Sequence, residues 1–264
     1  MLEENKEINF FGVPFERNEK LKKIVRKINR NKRLLLMLKM SNVNAIDRLG
    51  YNDHGPVHVR IVANHAIKIL RVLVKSGVKP SIVKNYNMSN EDAEVVVVLA
   101  SLLHDIGHVV HRKNHDIISV FLASQLLDEI LSGIYGEEER DIIKFEVLHA
   151  IFSHEAEIEP LTIEAGIVKV ADALDMEKGR ARIPFKIGSI NIHSTSAMAI
   201  ERVEILEGER KPIKIVIFMS NPAGIFQVDE LLRKRIKTSG IDGMIEAEAR
   251  LIENGKETIF KKYE

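Results

Sequence analysis

The stretch LLHDIGHVVHRKNH, residues 102–115, holds four of the chain's ten histidines and sets an aspartate directly after the first of them. His104, His108, His111 and His115 bring imidazole nitrogens and Asp105 a carboxylate, the side-chain types that ligate divalent first-row metals and handle protons near neutral pH. The preceding EVVVVLASLLH is mostly apolar and predicts a buried segment. An imidazole and a carboxylate carried into a core are costly unless each finds a partner. For an isolated His-Asp pair, a hydrogen bond or a helix cap would serve. A metal ion would satisfy both groups at once, and two other residues favour it. His58 follows the turn-like NDHGP, and Asp172 sits in VADALD, in a helix otherwise made of Ile167, Val168, Val170, Ala171 and Leu174. An aspartate in such surroundings calls for a cation or strong donors. Two imidazoles and two carboxylates, from His58, His104, Asp105 and Asp172, would hold a divalent ion and leave positions for water and substrate.

Residues so far apart in the chain must be gathered by several packed elements. VHVRIVANHAIKILRVLVKSG puts Val62, Ile69, Leu70 and Leu73 at helical spacing, with Gly77 as a stop and Pro80 beyond it. SNEDAEVVVVLASLLHD opens on Ser89 and Asp92, the spacing of a capping box. Its four valines would suit a strand, but the apolar run is longer than a typical strand, so a helix is predicted. NHDIISVFLASQLLDEILSGIYG, IIKFEVLHAIFSH and LTIEAGIVKVADALDMEKG add three more helices. Adjacent residues on a helix point about 100° apart. His104 and Asp105 therefore share an ion only near a helix end, where Gly107 is expected to let the chain bend.

From about residue 190 the texture changes. INIHSTSA, AIERVEILEG and PIKIVIFMS read as β structure, and FQVDELLRKRIKTSG as a helix closed by Gly240. MIEAEARLIENGKETIFKKYE reads as a hairpin turning at Asn-Gly. The expected fold is mainly α, an all-helical domain followed by a small α+β unit of ββαββ type. Residues 1–49 are expected to form a basic helical segment packed on the core, 50–189 the ligand-bearing domain, and 190–264 the α+β domain with a dimerisation or regulatory role.

Composition narrows the classes. The 264 residues are enough for a sizeable core, and 45% apolar content with a net charge of +1 fits a soluble globular protein. No apolar run is long enough for a membrane span, and the charged MLEENKE lacks a signal-peptide core, so the cytoplasm is the expected compartment. The absence of cysteine excludes disulfides, thiolate nucleophiles and cysteine-ligated zinc. Residues 1–40 carry 11 Lys/Arg against 5 Asp/Glu. There LKKIVRKINRNKRLLLMLKM predicts an amphipathic helix packed by Leu21, Ile24, Val25 and Ile28. Its basic face is either simply solvated or a surface for nucleic acid.

In order and helical context, His58, then His104-Asp105, then Asp172 resemble the H…HD…D signature of the HD superfamily of metal-dependent phosphohydrolases, over roughly residues 50–185. The resemblance implies that these four residues are the primary metal ligands. It also implies hydrolysis of a phosphate ester by metal-activated water, with Asp105 helping to orient that water. Binuclear members imply further ligands: His115 at the start of the next helix, and His149 and His154 in VLHAIFSHE. Such relatives have HHE there, whereas this chain has Ser153 in the first position. His108 stands where many relatives have lysine, which implies phosphate contact or proton donation; a surface imidazole is the alternative. Lys178, Arg180 and Arg182, in MEKGRARIP, either clamp a substrate phosphate or form an exposed cluster. His54 and Asp53 belong to a turn at the expected rim of the site, and His65 is expected in the core or behind a ligand.

The ion would be Mn, Fe, Co, Ni, Zn or Mg, one or two per chain. The expected substrate is a small phosphorylated compound, a nucleotide or related phosphomonoester or phosphodiester. The GYP extension of cyclic-di-GMP hydrolases is absent, and HEAEIEP stands in its place. A homo-oligomer through the C-terminal domain and no membrane partner are expected. Two alternatives remain: a metal-bound nucleotide sensor with little turnover, and a phosphodiesterase acting on nucleic acid.

Overall fold

The structure is a computed structural model that describes residues 12–15, 17–179 and 192–263. Within them the chain runs through α1 (Glu19–Arg30), α2 (Lys32–Asn42), a π-helical turn (Val43–Arg48), α3 (Pro56–Lys75), α4 (Ser81–Tyr86) and α5 (Asn90–Leu103). A 3-10 turn (Ile106–Val109), α6 (His115–Leu131), α7 (Glu137–Phe152) and α8 (Ile163–Ala173) complete the helical part.

The valine-rich segment is helical. Ser89 starts α5 with the predicted capping box: its hydroxyl accepts from Asp92 N, and the Asp92 carboxylate accepts from Ser89 N at 2.9 Å. Val95, Val96, Val97 and Val98 are all fully buried, because α5 packs against α3, α7 and α8. A helix apolar all round is stable only when enclosed in this way, and burial here outweighs valine's modest helix propensity. The basic α1 is capped by Asn18, which accepts from Leu21 N at 2.9 Å, and it buries Leu21, Ile24, Val25 and Ile28 as expected.

The C-terminal part opens on a helix where β structure was expected. INIHSTSA, expected as β structure, contains the short helix α9 (Ile192–Ala197). Ser196 Oγ donates to Ile192 O at 2.5 Å and accepts from Gln227 Nε2 at 2.8 Å. Such side-chain bonds offer a Ser/Thr-rich segment local alternatives to a sheet ladder. Strands β1 (Ile200–Glu207) and β2 (Ile213–Met219), helix α10 (225–237, with a π-helical stretch at Val228–Leu232), β3 (Ile245–Glu253) and β4 (Lys256–Tyr263) follow. The sheet order is β1-β2-β3-β4, with β2 and β3 parallel across the α10 connection and the outer pairs antiparallel. The β3–β4 turn places Asn254 at φ 52° and Gly255 at φ 74°, the left-handed pair that a type I′ hairpin requires. The molecule is thus mainly α with a small four-stranded α+β unit. Among the described residues no helix is long and apolar enough to cross a membrane.

Candidate metal centre

Helix α5 ends at Leu103. His104 keeps helical dihedrals (φ −62°, ψ −31°), and Asp105 leaves them (φ −104°, ψ 2°). The adjacent pair is therefore splayed at a helix end, where both side chains reach one point. Gly107 serves clearance, and no left-handed bend occurs there. A Cβ at Gly107 would lie 2.1 Å from His115 O, so only glycine lets the start of α6 come this close. Gly107 N donates to Ser119 Oγ at 2.8 Å, which ties α6 to the turn and brings His115 to Asp105. The Asp53 carboxylate accepts from Gly55 N at 2.9 Å and from His58 N at 3.2 Å, fixing the first turn of α3 and with it His58. Asp172 comes from the end of α8, and His154 from the turn after α7.

All these groups converge on the buried Asp105 carboxylate. Its Oδ2 lies 2.7 Å from His54 Nδ1, 3.2 Å from His58 Nε2 and 3.4 Å from His104 Nε2. Its Oδ1 lies 3.3 Å from His115 Nε2, 3.5 Å from His108 Nε2 and 4.0 Å from His154 Nε2. On the Oδ2 side, His58 and His104 face each other with Nε2 atoms 3.2 Å apart, and Asp172 Oδ1 is 3.2 Å from the first and 3.6 Å from the second. On the Oδ1 side, the Nε2 atoms of His115 and His154 are also 3.2 Å apart, with Glu155 Oε1 3.4 Å from His115.

The outer ring nitrogens fix which way the inner ones face. His104 Nδ1 faces Ser101 O at 2.8 Å, His115 Nδ1 faces Arg112 O at 3.0 Å, and His154 Nδ1 faces Ile151 O at 2.5 Å. A carbonyl only accepts, so each Nδ1 carries a proton, and each ring in its neutral form turns an Nε2 lone pair inward. His58 Nδ1 bonds Asp175 Oδ2 at 2.6 Å, the carboxylate-histidine arrangement that raises a ligand's basicity. Lone pairs facing one another at 3.2 Å repel unless a cation lies between them. Ligand atoms of His58, His104 and Asp105, and of Asp105, His115 and His154, each lie within 4.8 Å of one another. This donor set of imidazoles and carboxylates is able to bind metal ions.

Burial and neighbouring charges shift these groups in both directions. Burial works against ionising Asp105, but His104 and His54 hold its carboxyl well below the usual range. Asp172 is likewise opposed by burial and held well below its ordinary value by Arg235. Burial, reinforced by His104 and His115, depresses the His154 imidazole, and burial also lowers His108. For His115, burial is outweighed by Asp105 and Glu155, which raise it. A cavity of about 230 Å³ lies alongside, lined by Asp105, His115, His154, Glu155 and Asp172 among others.

The remaining predicted residues fall elsewhere. His149 does not join the cluster: its Nε2 accepts from Leu161 N at 3.1 Å, so it braces the loop beyond α7. Ser153 is buried and donates to His149 O at 2.7 Å. His108 is fully buried, stacked 4.5 Å from the ring of His54 and tilted against that of His115 at 4.3 Å, so it is no surface imidazole. Lys178 pairs with Glu201 of β1, while Arg180 and Arg182 lie outside the described residues. His65 stays away from the cluster and its imidazole is lowered by burial. Sequence reasoning placed His54 only at the rim and missed Glu155, Asp175 and Arg235. Asp175, one helical turn beyond Asp172 in VADALD, carried a readable signal. Arg235, which pairs with Asp172, carried none.

Residues 58–177 match the HD domain family. Over 230 residues the chain is 50% identical to an uncharacterized protein of Methanocaldococcus jannaschii, spanning 87% of this chain and 89% of that protein. Two shorter matches are to Ribonuclease Y. The Acidothermus cellulolyticus protein is 36% identical over 90 residues, 33% of this chain and 15% of that protein. The Desulforudis audaxviator protein is 37% identical over 86 residues, 31% of this chain and 14% of that protein. No solved structure matches the chain.

Proposed function

The chain belongs to the HD domain family, and on that footing we propose that it is a metal-dependent phosphohydrolase acting on a nucleotide or related phosphate ester. One observation carries the proposal: a single carboxylate, Asp105, extends one oxygen into each of two nests of inward-facing Nε2 atoms. We assign His58, His104, Asp105 and Asp172 to a first ion, and Asp105, His115 and His154, with Glu155 beside them, to a second. Divalent ions there supply Lewis acidity towards water and phosphoryl oxygens. Asp105 spans both nests and orients the attacking water. His58 and Asp172 are themselves held from outside, by Asp175 and Arg235, so the ligand atoms are set before substrate arrives. His108, buried and lowered by that burial, fits a neutral ring beneath His54 better than a proton donor.

The cavity of about 230 Å³ suits a small phosphorylated group. A second reading, cleavage of an RNA phosphodiester, is favoured by the two relatives named Ribonuclease Y, whose matches span about a third of this chain. The test is a product assay on manganese-loaded protein with nucleoside mono- and triphosphates, cyclic nucleotides and a short RNA. Metal-dependent hydrolysis of a nucleotide, abolished by chelator and by Asp105→Ala, is the expected result. Preferential cleavage of RNA would move the assignment to the second reading. Nucleotide binding without turnover of any ester would contradict both readings and identify a binding module.

A further inference from the structure

We propose that the C-terminal unit completes the active site by supplying Arg235 as a contact for the substrate's phosphoryl oxygens, an inference that rests on the hydrolase reading above. Three residues on one face of α8, at successive three-residue steps, meet the end of α10 in reverse order. At Gly166 an added Cβ would lie 2.3 Å from Ser239 O, so the two backbones touch only because this residue is glycine. At the fully buried Lys169, Nζ donates to Thr238 O at 3.2 Å, and also to Ala156 O at 3.2 Å and Ile158 O at 2.6 Å in the loop after His154. At Asp172, Oδ2 accepts from Arg235 Nη1. A stray surface charge would have no such register behind it. The helix that presents a metal ligand also seats the segment that presents the arginine.

The guanidinium is only half used. Its hydrogen bonds to described residues, to Asp172 Oδ2 and to His154 O at 3.4 Å, both leave from Nη1. Nε and Nη2 donate to no described residue, and the side chain, 22% exposed, lines the cavity. An arginine present only to orient Asp172 would gain most by facing the carboxylate with both arms, but Asp172 Oδ1 is turned towards His58 and His104. The free edge of the fork is suited to paired bonds with phosphate oxygens. Local charge points the same way. Four carboxylates line the cavity, those of Asp105, Glu155, Asp172 and Asp175, and among the described residues its lining cations are Arg112 and Arg235. A polyanion entering there meets repulsion unless the metals and these two arginines offset it.

The experiment uses the full chain loaded with manganese, as wild type, Arg235→Gln and Arg235→Lys, with inorganic phosphate as the probe. Manganese stoichiometry and affinity are measured first by calorimetry, then phosphate affinity. Arg235→Gln is expected to keep its manganese while phosphate binding weakens on the order of tenfold to a hundredfold, with part of the loss recovered in Arg235→Lys. Unchanged phosphate affinity in Arg235→Gln, or a phosphate loss matched by loss of metal in both variants, would overturn the inference and leave Arg235 a positioning residue for Asp172. If Arg235→Gln does not fold, Arg235→Lys decides alone: several-fold weaker phosphate binding at full metal content supports the proposal, and unchanged binding overturns it. A wild type that binds manganese but no phosphate would overturn the hydrolase reading itself, a result distinct from the others.

Discussion

The two sides of Asp105 are built differently. On the Oδ2 side, His58 and His104 have fully buried side chains; His104 rests on the Ser101 carbonyl, but His58 and Asp172 are backed by charged groups, Asp175 and Arg235. On the Oδ1 side, His115 and His154 are backed only by carbonyls of their own turns, and Glu155 is 35% exposed at the cavity. A carboxylate partner strengthens an imidazole ligand more than a carbonyl does, and desolvation strengthens every charge interaction. On the metal assignment proposed above, the first side would anchor its ion and the second would be the exchangeable side, open to substrate.

Removing the shared group tests this most severely. Asp105→Ala should abolish metal binding on both sides and lower hydrolysis by about a thousandfold or more, as followed by product release. Asp175→Asn touches one side only. It should weaken the first ion about tenfold to a hundredfold and leave the second unchanged, which stepwise manganese titration would resolve. Equal weakening of both would break the comparison.

Gly166→Ala acts on the seat of Arg235. Its methyl group has no room against Ser239 O, so a cost of about 1–3 kcal/mol in denaturant unfolding is expected. The smallest effect on the centre should come from Asp92→Asn, far from it at the start of α5. Burial opposes the Asp92 charge, but Lys20, Ser89 and Tyr135 together bring its carboxyl below the ordinary 3.8. A carboxylate with a depressed folded value stabilises fully above its unfolded pKa and loses that contribution as pH falls through the folded value. Asp92→Asn should therefore cost about 2 kcal/mol at neutral pH, converge with wild type in acid, and leave metal content untouched. A metal loss in this variant would show that the centre is not locally supported.

Much of the architecture was legible in the sequence because local chemistry carried it. The capping box at Ser89 and Asp92, the run too long for a strand and the Asn254-Gly255 turn all act within a few residues of themselves. INIHSTSA was misread because β-like composition there yields to hydroxyl bonds, one of them to Gln227, which no local pattern reports. In the site, His58, His104, Asp105 and Asp172 were readable as polar groups set in apolar helices. His149 was not separable from His154 by spacing alone, since the end of α7 decides which of them turns inward. Arg235 lies 63 residues beyond Asp172 and pairs with it only through the docking of α10 on α8, a tertiary fact without sequence period.

The most direct test is metal content per chain by plasma mass spectrometry, on protein purified without chelator and reloaded with manganese. Wild type, His115→Ala and Asp105→Ala should carry two, one and no equivalents. A single equivalent in wild type that persists in His115→Ala would contradict the two-sided centre.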